Sequence, residues 1–228
     1  MDALVDGLLE ELNCDVVFKI PIFGGIPIYE SVVVTWIIMA AVFLLCFFLG
    51  RNLSVENPGR RQVAVEAGVK FLNDFFSETL GEKGKDYIPY LATVIIYIGI
   101  ANLIGLLGFK PPTKDMNVTA ALAIMSIILI QAAAIHSKGT KGWLKNFAEP
   151  VAVVTPINIL ELVIRPLSLC MRLFGNVLGA FVVMKLIESV VPVIVPTVFG
   201  LYFDFFDGFI QAYIFVFLSS LFIREAVE

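Results

Sequence analysis

The amino-acid sequence predicts an all-α membrane protein with five transmembrane helices and one interfacial amphipathic helix, the last two helices long and tilted. Composition is the first observation behind this. The 228 residues are 59% hydrophobic, with 20 Phe and only 16% charged residues, and the mean hydropathy is +0.91. Soluble domains run at roughly 45–50% apolar. The second is the length of the apolar runs, such as the 19 residues Val32–Gly50, enough to cross a hydrocarbon core of about 30 Å. The third is one segment, 61–80, that is amphipathic and too polar to cross.

In chain order, residues 1–30 form an external N-terminal segment. It opens acidic, Met1-Asp-Ala-Leu-Val-Asp-Gly-Leu-Leu-Glu-Glu, where a signal peptide would be basic, so none is expected. The first span is 31–50, and Asn57-Pro58-Gly59 then breaks the chain. In 61–80, Val65, Val69, Leu72 and Phe76 recur at helical spacing among Glu66, Lys70, Asp74 and Glu78. Such a helix lies on the membrane surface or packs on a partner. The second span, 87–109, carries Asn102 and glycines at 99, 105 and 108, small residues that permit close helix packing. Lys110–Asn117 reads as a tight polar loop, 118–136 as the third span, and Ser137–Lys145 as a Gly/Lys-rich loop.

From 155 to 190 little stops a helix except Pro166. At 1.5 Å per residue this fourth span is about 54 Å long, nearly twice the bilayer core, so it must tilt, kink near Pro166 or overhang. Pro192 and Pro196 mark a turn, and 197–224 is the fifth span.

Charge sets an orientation. With the N-terminus outside, the inside segments hold Arg51, Arg60, Arg61, Lys70, Lys83, Lys85, Lys138, Lys141, Lys145 and Arg224, against Lys19, Lys110 and Lys114 outside. Ten against three favours N-out, C-in. The net charge of −4 is small and gives no reason to expect a nucleic-acid partner. Cys14, Cys46 and Cys170 show no metal-ligand spacing, and no Gly-rich phosphate loop is present. No cofactor, metal or nucleotide is therefore expected on this chain.

The chemistry-bearing residues lie in the last two spans. Asn158, Glu161, Arg165, Ser168, Arg172 and Asn176 are separated by 3, 4, 3, 4 and 4, which keeps them on one helix face. In the last span Asp204, Asp207 and Gln211 are spaced 3 and 4, again on one face. Lys185 and Glu188 lie toward the outer end of the fourth span, where an ion pair between them is the ordinary reading. Arg165, near the inner interface, suits snorkelling as well as function. Two polar half-paths thus approach mid-membrane from opposite sides, with Arg172 and Gln211 where they nearly meet. Arg172 cannot deprotonate, and a charge at mid-bilayer costs at least a few kcal/mol. Glu161 is about 16 Å away by helix rise. The missing anion is expected on another subunit.

The segment Met171-Arg-Leu-Phe-Gly-Asn176 after Pro166-Leu-Ser-Leu resembles the signature of subunit a of the F-type ATP synthase, a bacterial one by its lack of a transit peptide. Pro112-Thr-Lys-Asp-Met-Asn-Val-Thr119 and Ile210-Gln-Ala-Tyr-Ile-Phe215 are similar to two further family motifs, and the helix plan agrees over nearly the whole chain. The resemblance implies a non-catalytic stator subunit in the bacterial plasma membrane, beside a ring of c subunits that each carry one mid-membrane carboxylate. Subunit b of the peripheral stalk and the lipid bilayer would be its other partners. Two offset half-channels would load and unload protons, or Na+, on the ring carboxylates. Arg172 would face the ring, with Gln211, Asn176 and Glu161 at matching polar positions. Where the family often has a Glu/His pair, this chain has Phe181 and Asp204, so Asp204, Asp207 and Glu188 are expected to line the outer half-channel. The alternative is a secondary transporter or channel subunit using Arg172 for an anionic substrate. It would be built from inverted repeats, and the sequence shows none.

Overall fold

The computed structural model describes residues 16–21, 26–51, 53–54, 58–107, 109–148, 155–190 and 199–227. An antiparallel hairpin comes first, β1 (Val16–Ile20) and β2 (Ile26–Tyr29), with Phe18 opposite Ile28 and Ile20 opposite Ile26. The sequence reading gave no strands here. The run Val-Val-Phe-Lys-Ile is β-branched and aromatic, which favours a strand when a partner of like kind is close by.

The hairpin leads directly into α1 (Glu30–Leu49). Next come α2 (Arg60–Leu80), α3 (Ile88–Leu103), α4 (Met116–Ala148), α5 (Thr155–Val190) and α6 (Gly208–Val227). Five stretches are long and apolar enough to cross a membrane: Glu30–Leu49, Glu82–Leu106, Met116–Trp143, Thr155–Met184 and Leu201–Val227. α2 is not among them. With these spans the molecule is an all-α membrane protein to which a small hairpin is attached.

α2 is amphipathic along its length but is buried at its C-terminal end only. Phe76 and Leu80 are fully buried, and the Phe75 ring lies 5.7 Å from that of Tyr213 on α6, while Val69 is 62% exposed. Gly81 closes α2 in the left-handed region (φ +70°), which glycine tolerates without strain, and its N–H bonds the carbonyl of Ser77.

α6 is the hub of the bundle. α2, α3, α4 and α5 all pack on it, and it buries Gln211, Ala212, Phe215, Val216, Ser219, Ser220 and Ile223. The core around it includes Leu91, Ile98, Ile130, Leu169 and Leu173. Burial differs sharply between the last two spans. Of the most apolar stretch, 44% is buried in the fifth span but only 17% in the fourth. α5 therefore packs through one narrow stripe and turns a broad face outward.

A further local detail differs from the sequence reading. The segment 137–145, expected as a loop, is helical on both sides of Gly139, the one residue to leave the helix (φ +71°). The chain folds back there, and the indole N–H of Trp143 donates to Oε1 of Gln131 at 2.8 Å. α5 runs through Pro166 as a single 36-residue helix. A spanning helix tolerates the missing donor because neighbouring groups satisfy the freed carbonyl.

Candidate functional site on the last two spans

Leu169, Cys170 and Leu173 point α5 into the bundle. Arg172, one residue short of Leu173, falls on the other side and is exposed. It makes no hydrogen bond or ion pair among the described residues. A guanidinium in the middle of a spanning helix, facing outward with its five donors unused among the described residues, is a costly unsatisfied charge.

One turn along α5, the side-chain amide of Asn176 donates to Oε1 of Gln211 at 2.7 Å. Gln211 is 1% exposed, and its Nε2 has no partner among the described residues. The two polar stripes thus touch one turn from Arg172, and the contact leaves one buried donor unspent.

Toward its N-terminal end, α5 carries Arg165, about 10 Å from Arg172 by helix rise. Its guanidinium bonds Glu161 at 2.9 Å and Glu225 of α6 at 2.8 Å, and lies 4.9 Å from the centre of the Phe222 ring. Arg165 is thus anchored across two helices and does not snorkel free. Glu161 is committed to Arg165 and not to Arg172. Beside this clamp is a polar cavity of about 260 Å³ whose lining includes Gln131, Lys138, Asn158, Glu161, Arg165 and Glu225.

The opposite end is built differently. Pro112, Thr113, Lys114 and Asp115, expected as a tight polar loop, are all buried. The Thr113 hydroxyl donates to Oδ1 of Asn102 at 2.8 Å, and Nδ2 of Asn102 donates to the carbonyl of Gly208 at 2.9 Å. The Asp115 carboxylate accepts from the backbone N–H of Asn117, in the first turn of α4, and from the Ser31 hydroxyl of α1. Lys114 is 8% exposed, with its ammonium 3.5 Å from the centre of the Phe181 ring. Asp207 is half-buried and ends the π-helical stretch Leu201–Asp207 that precedes Gly208. Such stretches are uncommon and frequent at functional sites. The side chains of Lys185, Glu188 and Asp204 lie outside the described residues.

Helix periodicity missed Glu225, Asn102, Thr113 and Lys114. Each acts across helices, and spacing along one helix carries no information about the partner on another. For Lys114 a signal was available: a lysine between prolines and an aspartate, close after an apolar span, in a segment too short to reach far into water.

Comparison with known proteins points to one family. The family model described as ATP synthase A chain matches residues 32–224. ATP synthase subunit a of Moorella thermoacetica is 37% identical over 206 residues, covering 90% of this chain and 94% of that one. ATP synthase subunit a 3 of Pelobacter propionicus is also 37% identical, covering 87% and 88%. The sodium-ion-specific ATP synthase subunit a of Propionigenium modestum is 29% identical, covering 89% and 75%. With a family match across five spans and an outward-facing arginine at their polar centre, the chain belongs to the ATP synthase subunit a family.

Proposed function

We propose that this chain is the ion-translocating stator of a rotary ATP synthase, with Arg172 facing a mid-membrane carboxylate on each passing c subunit. The observation that carries the reading is the exposed guanidinium of Arg172, on the helix with the least buried face after α1 and without an anion among the described residues. A fixed cation lowers the pKa of a nearby carboxylate, whereas contact with lipid raises it. A ring carboxylate releases its ion as it reaches Arg172 and reloads after passing. Arg172 also blocks a direct leak between the two half-paths.

The inner half-path opens through the cavity beside Glu161, Arg165 and Glu225 and ends at Asn176. The outer half-path runs along Glu188, Asp204 and Asp207 to Gln211. In this reading the N-terminus is outside a bacterial plasma membrane and the C-terminus is cytoplasmic. Subunit b contacts α2 and the cytoplasmic loops, and nucleotide chemistry belongs to other subunits. The ion is a proton, with Na+ the alternative raised by the Propionigenium modestum relative. The decisive experiment is Arg172→Ala in the assembled complex in liposomes. The expected result is loss of gradient-driven ATP synthesis; synthesis at the parental rate would overturn the reading. Sodium stimulation of ATP hydrolysis separates the two ions.

A further inference from the structure

Between the end of α1 and the N-terminal half of α2 lies a groove that the half-paths do not use. Its volume is about 390 Å³, and its walls are Leu49, Gly50 and Leu53 on one side and Val65, Val69 and Lys70 of α2 on the other. Gln62, the first residue of α2 in the lining, ties the walls together. Its Oε1 accepts from the backbone N–H of Ser54 at 3.0 Å, and its Nε2 donates to the Ser54 carbonyl at 2.9 Å and to Glu66 at 2.7 Å. The chain that follows α1 is thereby fastened onto α2, which gives the groove a fixed shape.

Two observations say what fits there. The floor is apolar, and it is continuous with exposed Phe47 and Phe48 in the last turn of α1, a helix long and apolar enough to lie in hydrocarbon. The rim is basic. Arg51 follows Gly50, Arg60 and Arg61 precede Gln62, and Lys70 lines the groove itself. All four are exposed, and none makes a hydrogen bond or ion pair among the described residues. From 51 to 73 they are set against two carboxylates, Glu56 and Glu66, and Glu66 already accepts from Gln62. The buried end of α2 is the reverse, with Asp74 and Glu78 and no cation after Lys70.

We infer that this groove is a binding site for an anionic phospholipid, with the upper part of an acyl chain along Val65 and Val69 and the phosphate among Arg51, Arg60, Arg61 and Lys70. Basic clusters beside the end of a spanning helix, or on an amphipathic helix, attract anionic headgroups, and each Lys or Arg near the surface strengthens the attraction about fivefold. An apolar groove alone takes any lipid, and cations alone take any polyanion. Side by side they select a molecule that carries both parts. The site does not depend on ion travel through the chain, and it leaves the other faces of α2 to subunit b.

The test uses the assembled complex in phosphatidylcholine vesicles that hold, as a minor component, phosphatidylglycerol with a photoreactive group on one acyl chain close to the glycerol. After irradiation, peptide mass spectrometry is expected to find the label on residues 62–73. A phosphatidylcholine probe with the same chain is expected to label that segment at least fivefold less. The combined variant Arg60→Gln, Arg61→Gln, Lys70→Gln is expected to lower the phosphatidylglycerol label there at least tenfold, with the label on α1 unchanged. Equal labelling of 62–73 by the two probes would overturn the inference, and so would an undiminished label in the combined variant. A parental complex labelled on α1 but not on 62–73 would also overturn it, because another subunit then covers the groove. If the combined variant does not assemble, Lys70→Gln is read in its place, with a loss of about threefold to fivefold expected and no loss counting against the inference. The comparison of the two probes on the parental complex needs no variant.

Discussion

Asn176 on α5 and Gln211 on α6 are joined by a hydrogen bond of 2.7 Å one helical turn from Arg172, and the acceptor brings with it a buried Nε2 that has no partner among the described residues. Loss of this bond should separate stability from function. Gln211→Leu removes the unsatisfied donor and leaves Asn176, which is exposed, to solvate its amide. The bond itself contributes about 0.6 kcal/mol in a membrane bundle, and an unpaired buried donor costs about 1–3 kcal/mol. The variant is therefore expected to keep the parental thermal stability of the assembled complex to within about 1 kcal/mol, or to exceed it. ATP-driven ion pumping is expected to fall severalfold at the same time. Both are read on one preparation, the first by heating before native electrophoresis.

The Arg165 clamp should be cooperative. Glu161 and Glu225 are 54% and 61% exposed, and each leaves the other to hold a guanidinium that is only 20% exposed. Glu161→Gln or Glu225→Gln alone is expected to cost less than about 1 kcal/mol, as exposed ion pairs do. The double variant strands the arginine without a carboxylate and should cost more than the sum. A double-mutant cycle on the melting of the complex checks this.

Gly208 is where the last span meets α3. A Cβ built there lies 2.9 Å from Cβ of Asn102, which cannot swing away as a side-chain tip would. Gly208→Ala is expected to destabilise by about 1–3 kcal/mol, the range for overpacking a tight contact. Gly175 and Gly179 on α5 have nothing within 4 Å of a built Cβ. Gly175→Ala and Gly179→Ala should leave the isolated subunit as stable as the parent to within about 0.5 kcal/mol. Equal losses at all three positions would contradict this packing.

Asp115 joins the starts of α1 and α4. Its carboxylate accepts from the Asn117 N–H as a helix cap and from Ser31. Asp115→Ala is expected to cost about 1–2 kcal/mol for the cap and roughly 1 kcal/mol more for the lost Ser31 bond. Ser31→Ala should lose only the smaller share. Thermal retention of the folded subunit in detergent ranks the two.

Much of this protein follows from one-dimensional order. A spanning helix satisfies its own backbone, so length and apolarity suffice to find it, and Val32–Leu49 lies within one such helix. The polar stripe of α5 was legible because a 3.6-residue period is written into spacing. The fold-back at Gly139 was not, since one left-handed glycine turns a Lys-rich loop into two helical pieces. Nor was the hairpin, whose strands are short and need each other.

The sequence by itself determined that five segments are long and apolar enough to cross a membrane and that Arg172 sits mid-span, and it spaces two carboxylates and a glutamine 3 and 4 residues apart in the fifth span. Only the tertiary structure decided which of these groups are already satisfied. Arg165 proved to be held by Glu161 and Glu225, Gln211 is bonded to Asn176, and Lys114 lies buried against Phe181. Arg172 was left exposed. The reason is physical: spacing fixes the face on which a side chain leaves its helix, but whether a charge finds a partner depends on the packing of another helix against that face.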